Sequence, residues 1–181
     1  MIGLLFSLVS TFTFATQSFE TLPIVVQGSG ARLNSLDPFT LSGIDLYSLT
    51  NNVLEPLARL NPSSQLLEPI LAESWIIDGS VLRVRLRRGV KFHNGQELHA
   101  EDVRFTFEAY FSPRFRGEVW RGLWTGVKKT RVINARTIEF HFSELDYEAF
   151  KSLMTTLRIL PRAVYSKTSK AERDKVIVGT G

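Results

Sequence analysis

A mixed fold of α/β type, with strands and helices arranged in α+β fashion, is predicted by three observations. Apolar and polar residues alternate at Leu82, Val84 and Leu86 against Arg83 and Arg85, and again at Ile138, Phe140 and Phe142 against Glu139 and His141. That period of two is the signature of a half-buried strand. Turn dipeptides punctuate the first of these regions at Asp78-Gly79 and Asn94-Gly95, and Asn-Gly is the strongest short hairpin signal in the chain. Residues three and four apart, at Val103, Thr106, Phe107 and Tyr110 and at Tyr147, Phe150, Leu153 and Met154, form the inward stripes of two helices. Strands, hairpins and helices do not strictly alternate, which favours mixed sheets over a doubly wound one.

Taken in chain order, Leu22 to Gln27 reads as a buried strand, ended by the breaker run Gly28-Ser29-Gly30. Asn34 to Pro38 reads as an extended loop whose end is fixed by proline. Leu46, Leu49, Val53 and Leu57 share one helical face, and Pro56 should kink or close that helix. Asn61-Pro62-Ser63-Ser64 is a turn. Trp75 is expected in the core. The strand Val81 to Leu86 runs between Asp78-Gly79 and Arg88-Gly89. A helix then starts at Ala100, where Glu101 and Asp102 set negative charge against the positive end of the helix dipole, and Ser112-Pro113 stops it. Leu157 to Leu160 reads as a short apolar strand closed by Pro161.

The 181 residues suffice for one domain with a real core, and 44% apolar with 22% charged residues is a soluble, globular balance. Cysteine is absent, which excludes structural disulfides, thiolate metal sites and a lipid-anchored lipoprotein start. The net charge of +4 is small for this length and reads as a solvated surface. The opening run from Met1 to Ser18 has an apolar centre at about Ile2 to Phe14, shorter than the roughly 20 residues of a membrane span. It suits the apolar region of a secretory signal, with Thr13 and Ala15 as small residues for cleavage, although no Lys or Arg precedes it. The expectation is a signal peptide at 1–18 and export to the periplasm or cell exterior, without a lipid anchor; a buried strand or helix is the alternative.

Ordered short motifs carry more information than composition. Leu71 to Trp75 reads LAESW, Leu86 to Phe92 reads LRRGVKF, Asn94-Gly95 follows, and Ala100 to Val103 reads AEDV. Before them stand NSLDP at Asn34 to Pro38 and NVLEPL at Asn52 to Leu57; after them comes VGTG at Val178 to Gly181. In this order they resemble the peptide/nickel-type extracellular solute-binding proteins, solute-binding family 5, which deliver cargo to ABC importers. The resemblance runs from about Leu33 to Gly181. It departs at His99, where the family usually places a threonine, a better helix cap by ~1 kcal/mol.

The resemblance implies a periplasmic-binding-protein-like type II fold of which this chain is the N-terminal part. Residues 19–43 would be the first strand and loop of a main lobe, 44–165 the family's small extra α+β subdomain, and 166–181 a return segment to the main lobe. The chain stops inside a family motif, so an incomplete N-terminal portion is expected, with the grip on ligand requiring a second lobe. The implied function is the substrate-binding component of an ABC importer, non-catalytic, without cofactor or metal, acting as a monomer. Its partners would be a peptide and the membrane permease subunits; a nickel chelate, sugar or opine as solute is the alternative.

Within the resemblance, the SLDP loop and the turn after it border the cleft. Counting from Asp37-Pro38 and from Glu55-Pro56-Leu57 gives one gapless register, which places Ser42, Gly43 and Ile44 where relatives line the cleft with main chain. Gly43 would allow close backbone approach; a turn leading into a helix, capped by Ser42 or Asp45, is the alternative. Trp120 and Trp124, among Gly117, Gly122 and Gly126, align with a region that reaches the ligand with an aromatic; packing under a long loop is the alternative.

Two other classes fare worse. A hydrolase needs a nucleophile beside a positioned base, and neither a Gly-x-Ser-x-Gly elbow nor a His-Glu-x-x-His pair occurs. A His93–His99–Asp102 metal set matches no ligand spacing. Arg83, Arg85, Arg87, Arg88 and Lys91 form a basic strip, but no aromatics interleave with it as nucleic-acid binding would require, so no nucleic acid is expected.

Overall fold

Two antiparallel sheets organise the described residues, which in the computed structural model are 36–39, 51–113, 122–124, 126–175 and 177–181. The smaller sheet pairs β1 (Ala58–Leu60) with β2 (Leu67–Pro69). Asn61 builds their predicted turn: its Oδ1 accepts from the Ser63 and Ser64 N–H groups at 2.8 and 3.0 Å, and its Nδ2 donates to Glu68 at 2.6 Å. The larger sheet has β3 (Ala72–Asp78), β4 (Val81–Leu86), β5 (Val127–Asn134) and β6 (Thr137–Phe142), in the order β3-β4-β6-β5. Asp78 stands opposite Val81, so Gly79-Ser80 is a two-residue hairpin turn, and Gly79 takes the left-handed φ of +56° that glycine adopts without penalty.

The alternation predicted for β4 and β6 is what the sheet uses. Leu82, Val84, Leu86, Ile138 and Phe140 are fully buried on one face, against which helix α1 (Ala100–Phe111) lies. Val103, Thr106, Phe107 and Tyr110 are the inward stripe of α1, and the Phe107 ring meets Phe140 edge-on at 5.7 Å. Helix α2 (Tyr147–Thr156) starts at Asp146, whose Oδ1 accepts from the Ala149 N–H at 2.7 Å. Two short helices, α3 (Arg162–Tyr165) and α4 (Lys170–Arg173), complete the described architecture.

Several expectations need correction. Tyr147 leaves the predicted stripe: it sits in the first turn of α2, beyond the packed layer, and is 55% exposed while Phe150, Leu153 and Met154 are buried. Trp75 is only half-buried, because β3 is an edge strand. Its ring leans on Phe150 at 6.2 Å. Leu157, Ile159 and Leu160 are buried but form no strand, since their backbone is satisfied elsewhere: Ile159 donates to the Glu55 carbonyl at 3.1 Å and Leu160 to Thr106 Oγ1 at 3.0 Å. The Asn94-Gly95 turn closes a single bridge, Lys91 to Glu97, rather than a ladder. Helical residues 51–53 end ahead of Pro56, as the proline demands, and Leu57 belongs to the chain leading into β1. The leader at 1–18, the strand at Leu22 to Gln27, and Leu46 and Leu49 lie outside the described residues.

The outer face of the sheet is not the plain solvated surface its charges suggested. Glu139 is 1% exposed, covered by its own partners. Arg83 donates from Nε and Nη2 to Oε1 at 2.9 and 2.7 Å, Arg131 from Nε to Oε2 at 2.9 Å, and His141 Nε2 lies 3.1 Å from Oε2. Burial alone would raise the Glu139 carboxyl, but the hydrogen bonds from Arg83, Arg131 and His141 outweigh it and bring the group down to about 2.

Candidate functional site

The motifs scattered through the sequence meet at one junction. The Leu36–Phe39 turn is fastened to the end of α4 through Asp37, whose carboxylate is fully buried. Asp37 Oδ1 accepts from the Phe39 N–H at 3.1 Å, shaping the turn, and Oδ2 accepts from Arg173 Nε at 3.0 Å. Arg173 is 4% exposed and also donates to the Thr168 carbonyl at 3.0 Å, while its guanidinium lies 5.9 Å from the Phe39 ring centre. The Leu36 N–H donates to the Asp174 carbonyl at 3.0 Å, and Tyr110 Oη to the Pro38 carbonyl at 3.4 Å. Phe39 stands edge-on to Tyr110 and Tyr165 at 5.2 and 6.2 Å. Burial drives the Tyr110 phenol well above its ordinary range, and drives Tyr165 up to about 12 despite the hydrogen bond from Val178. Both phenols therefore stay neutral in this apolar setting.

The VGTG segment reaches the same junction from the other side. The His93 N–H donates to the Gly179 carbonyl at 2.8 Å. His93 Nε2 lies 2.6 Å from the Gly181 carbonyl, and Nδ1 lies 3.4 Å from the Gly179 N–H. A carbonyl only accepts and an amide only donates, so this geometry assigns the ring proton to Nε2. Gly179 is required by contact: a Cβ there would stand 1.8 Å from the Val53 carbonyl oxygen. The Val178 N–H donates to Tyr165 Oη at 3.1 Å. Thus KFHNG, NVLEPL and VGTG fit one another at a single point of contact. LAESW and the residue before it join them, since Ile70 and Ala72 both donate to the Leu57 carbonyl, at 3.1 and 2.9 Å.

AEDV also has a structural meaning. His99 and Asp102 form a capping box at the start of α1. Asp102 reaches back: Oδ2 accepts from the His99 N–H at 2.8 Å and Oδ1 from the Arg162 N–H at 2.8 Å, tying α1 to α3. Burial raises the Asp102 carboxyl, with these two amides pulling the other way.

Of the residues expected to touch ligand, Ser42, Gly43, Ile44 and Trp120 lie outside the described residues. Trp124 is not at a rim: it is 1% exposed, packs edge-on to Tyr110 at 5.2 Å, and its Nε1 donates to Thr156 Oγ1 at 3.1 Å. Its indole fills the layer between α1 and α2, the packing alternative. Arg173 and Tyr165 escaped the sequence reading, and no local signal marks them. Arg173 sits in a short helix opened by a Ser169–Glu172 capping box, which reads as surface.

The basic strip is interleaved with acids. Arg83 engages Glu139, Arg85 lies 3.1 Å from Glu73, and Arg87 donates to the Ala72 and Pro69 carbonyls. Among the described residues no three His, Asp or Glu side chains gather as a metal site.

Residues 67–181 match the family of bacterial extracellular solute-binding proteins, family 5 Middle. Salmonella typhimurium SapA, a peptide transport periplasmic protein, is 28% identical over 95% of this chain and 37% of its own length. The Helicobacter pylori periplasmic binding protein DppA, solved with the peptide STSA, superposes with a TM-score of 0.69 at 28% identity, over 81% of this chain and 33% of that one. The Bacillus subtilis oligopeptide-binding protein AppA, solved with a nonapeptide, shares the fold with a TM-score of 0.71 at 22% identity, over 81% and 30%. The chain spans about a third of the length of these relatives, and its architecture is that part of the type II periplasmic binding fold. By its motifs, its junction and its match over residues 67–181, the chain belongs to the family 5 extracellular solute-binding proteins.

Proposed function

We propose that the protein is the substrate-binding component of an ABC importer and that its cargo is peptide. The observation that carries this reading is the motif junction of SLDP, NVLEPL, KFHNG and VGTG, built on a fold shared with a protein solved with peptide. The name of SapA, a peptide transport protein, adds support. The work is capture, not catalysis: a peptide's amides and termini are satisfied away from water as lobes close around it. Transport itself falls to the permease subunits, with this protein acting as a monomer.

In this reading, residues 44–165 are the small subdomain, and 19–43 with 166–181 belong to the main lobe. Ser42, Gly43 and Ile44 offer main chain to the ligand and Trp120 an aromatic surface, while Trp124 supports from the core. Residues 1–18 direct export to the periplasm or cell exterior.

The test is a binding spectrum of the protein expressed from its complete reading frame. Peptides are expected to bind saturably at about micromolar Kd or tighter. Saturable binding of a nickel–histidine chelate, a sugar or an opine, with none of any peptide, would replace peptide by that solute.

A further inference from the structure

We infer that Arg173 is a positioning residue for peptide binding: it acts on the ligand through Asp37, by holding the Leu36–Phe39 turn in one shape. This rests on the reading that the turn borders a peptide cleft.

The geometry has the parts such a device needs. Asp37 divides its two oxygens between jobs: Oδ1 accepts from the Phe39 N–H and so sets the turn, while Oδ2 is held by Arg173. Arg173 is in turn aimed by a second bond, to the Thr168 carbonyl, and by the Phe39 ring beneath its guanidinium. One planar fork thus spans Asp37 and Thr168 at once. The carboxylate and the guanidinium are 0% and 4% exposed, so water cannot replace either partner. The backbone closes the same contact, since Leu36 donates to the Asp174 carbonyl beside Arg173. An arginine 136 residues along the chain from Asp37 thus holds the turn. Lysine at this position would keep the charge but reach only one of the two oxygens.

The experiment compares Arg173→Lys, Arg173→Met and Asp37→Asn in protein from the complete reading frame. Asparagine keeps the Oδ1 acceptor for Phe39 but sets an NH2 donor where the oxygen that accepts from Arg173 stood. Two readouts are taken together: amide exchange at Leu36 and Phe39 against amides of β4 and β6, and peptide Kd. The expected result is exchange at Leu36 and Phe39 accelerated about tenfold more than in the sheet, whose amides lose only the protection that the drop in global stability removes, and a peptide Kd weakened by about tenfold. Arg173→Lys should fall between wild type and Arg173→Met. Three outcomes overturn the inference: unchanged exchange at the turn, a loosened turn with unchanged peptide Kd, or equal loosening of turn and sheet. A wild-type protein that binds no peptide instead removes the functional reading on which the inference rests.

Discussion

Two ionic clusters in this molecule look alike on paper and differ in what surrounds them. At the junction, Asp37 and Arg173 face each other at 3.0 Å with both side chains closed to solvent. On the outer sheet face, Glu139 is just as covered, yet Arg83 and Arg131 above it are each 55% exposed. The first pair must be matched on both sides because neither charge has water to fall back on. The second is one buried carboxylate under cations that keep most of their hydration, so each contact there contributes less. Burial of both partners, rather than the number of contacts, should decide which cluster matters most.

The largest effect expected from this contrast is at Arg173. Arg173→Met removes the guanidinium that faces the buried Asp37 carboxylate, and should cost about 3–5 kcal/mol of stability in chemical denaturation. A loss no greater than that of a surface ion pair would remove the distinction drawn between the clusters. Next is Gly179→Ala. Its methyl would have to displace the Val53 carbonyl, a backbone atom, and the expected loss is about 1–3 kcal/mol by thermal melting. A neutral result would mean that the VGTG segment can lift away from residues 51–53 without consequence.

The smallest effect belongs to the sheet face and is best read through pH. The Glu139 carboxyl is lowered from 4.5 to about 2 on folding. A group with a depressed folded value contributes stability that is fully present above 4.5 and is lost as pH falls from there toward 2. Because both arginines remain half-exposed, Glu139→Gln should cost only about 1 kcal/mol at neutral pH. It should also flatten part of the stability slope between 4.5 and 2. A slope identical in the two proteins would show that Glu139 gains nothing from its cations.

The contrast also explains what could be read in advance. Strands β4 and β6 and helices α1 and α2 were legible because each buries one face, and a one-faced element writes its period into the sequence. The turns at Gly79 and Gly95 were legible because a left-handed backbone selects glycine locally, and both have positive φ. The junction was legible only as a row of family motifs, and its physics was not. Asp37 and Arg173 are 136 residues apart, and each alone looks like a surface charge. Glu139 misled for the same reason: a carboxylate on the polar face of a strand is exposed unless neighbouring strands bring arginines to cover it, and registers are not written in one strand. Leu157 to Leu160 has the composition of a strand, but its backbone partners are Glu55 and a threonine side chain. Trp124 has the setting of a rim aromatic, and only the packing of Phe107 and Tyr110 around it puts it inside.

The most direct test of the central claim, that this family 5 protein captures peptide, is calorimetric titration with peptide at several temperatures, using protein from the complete reading frame. The account predicts saturable heats and a negative heat-capacity change, as lobes bury apolar surface around the ligand. Flat heats with every peptide, beside saturable heats with a metal chelate, sugar or opine, would contradict it.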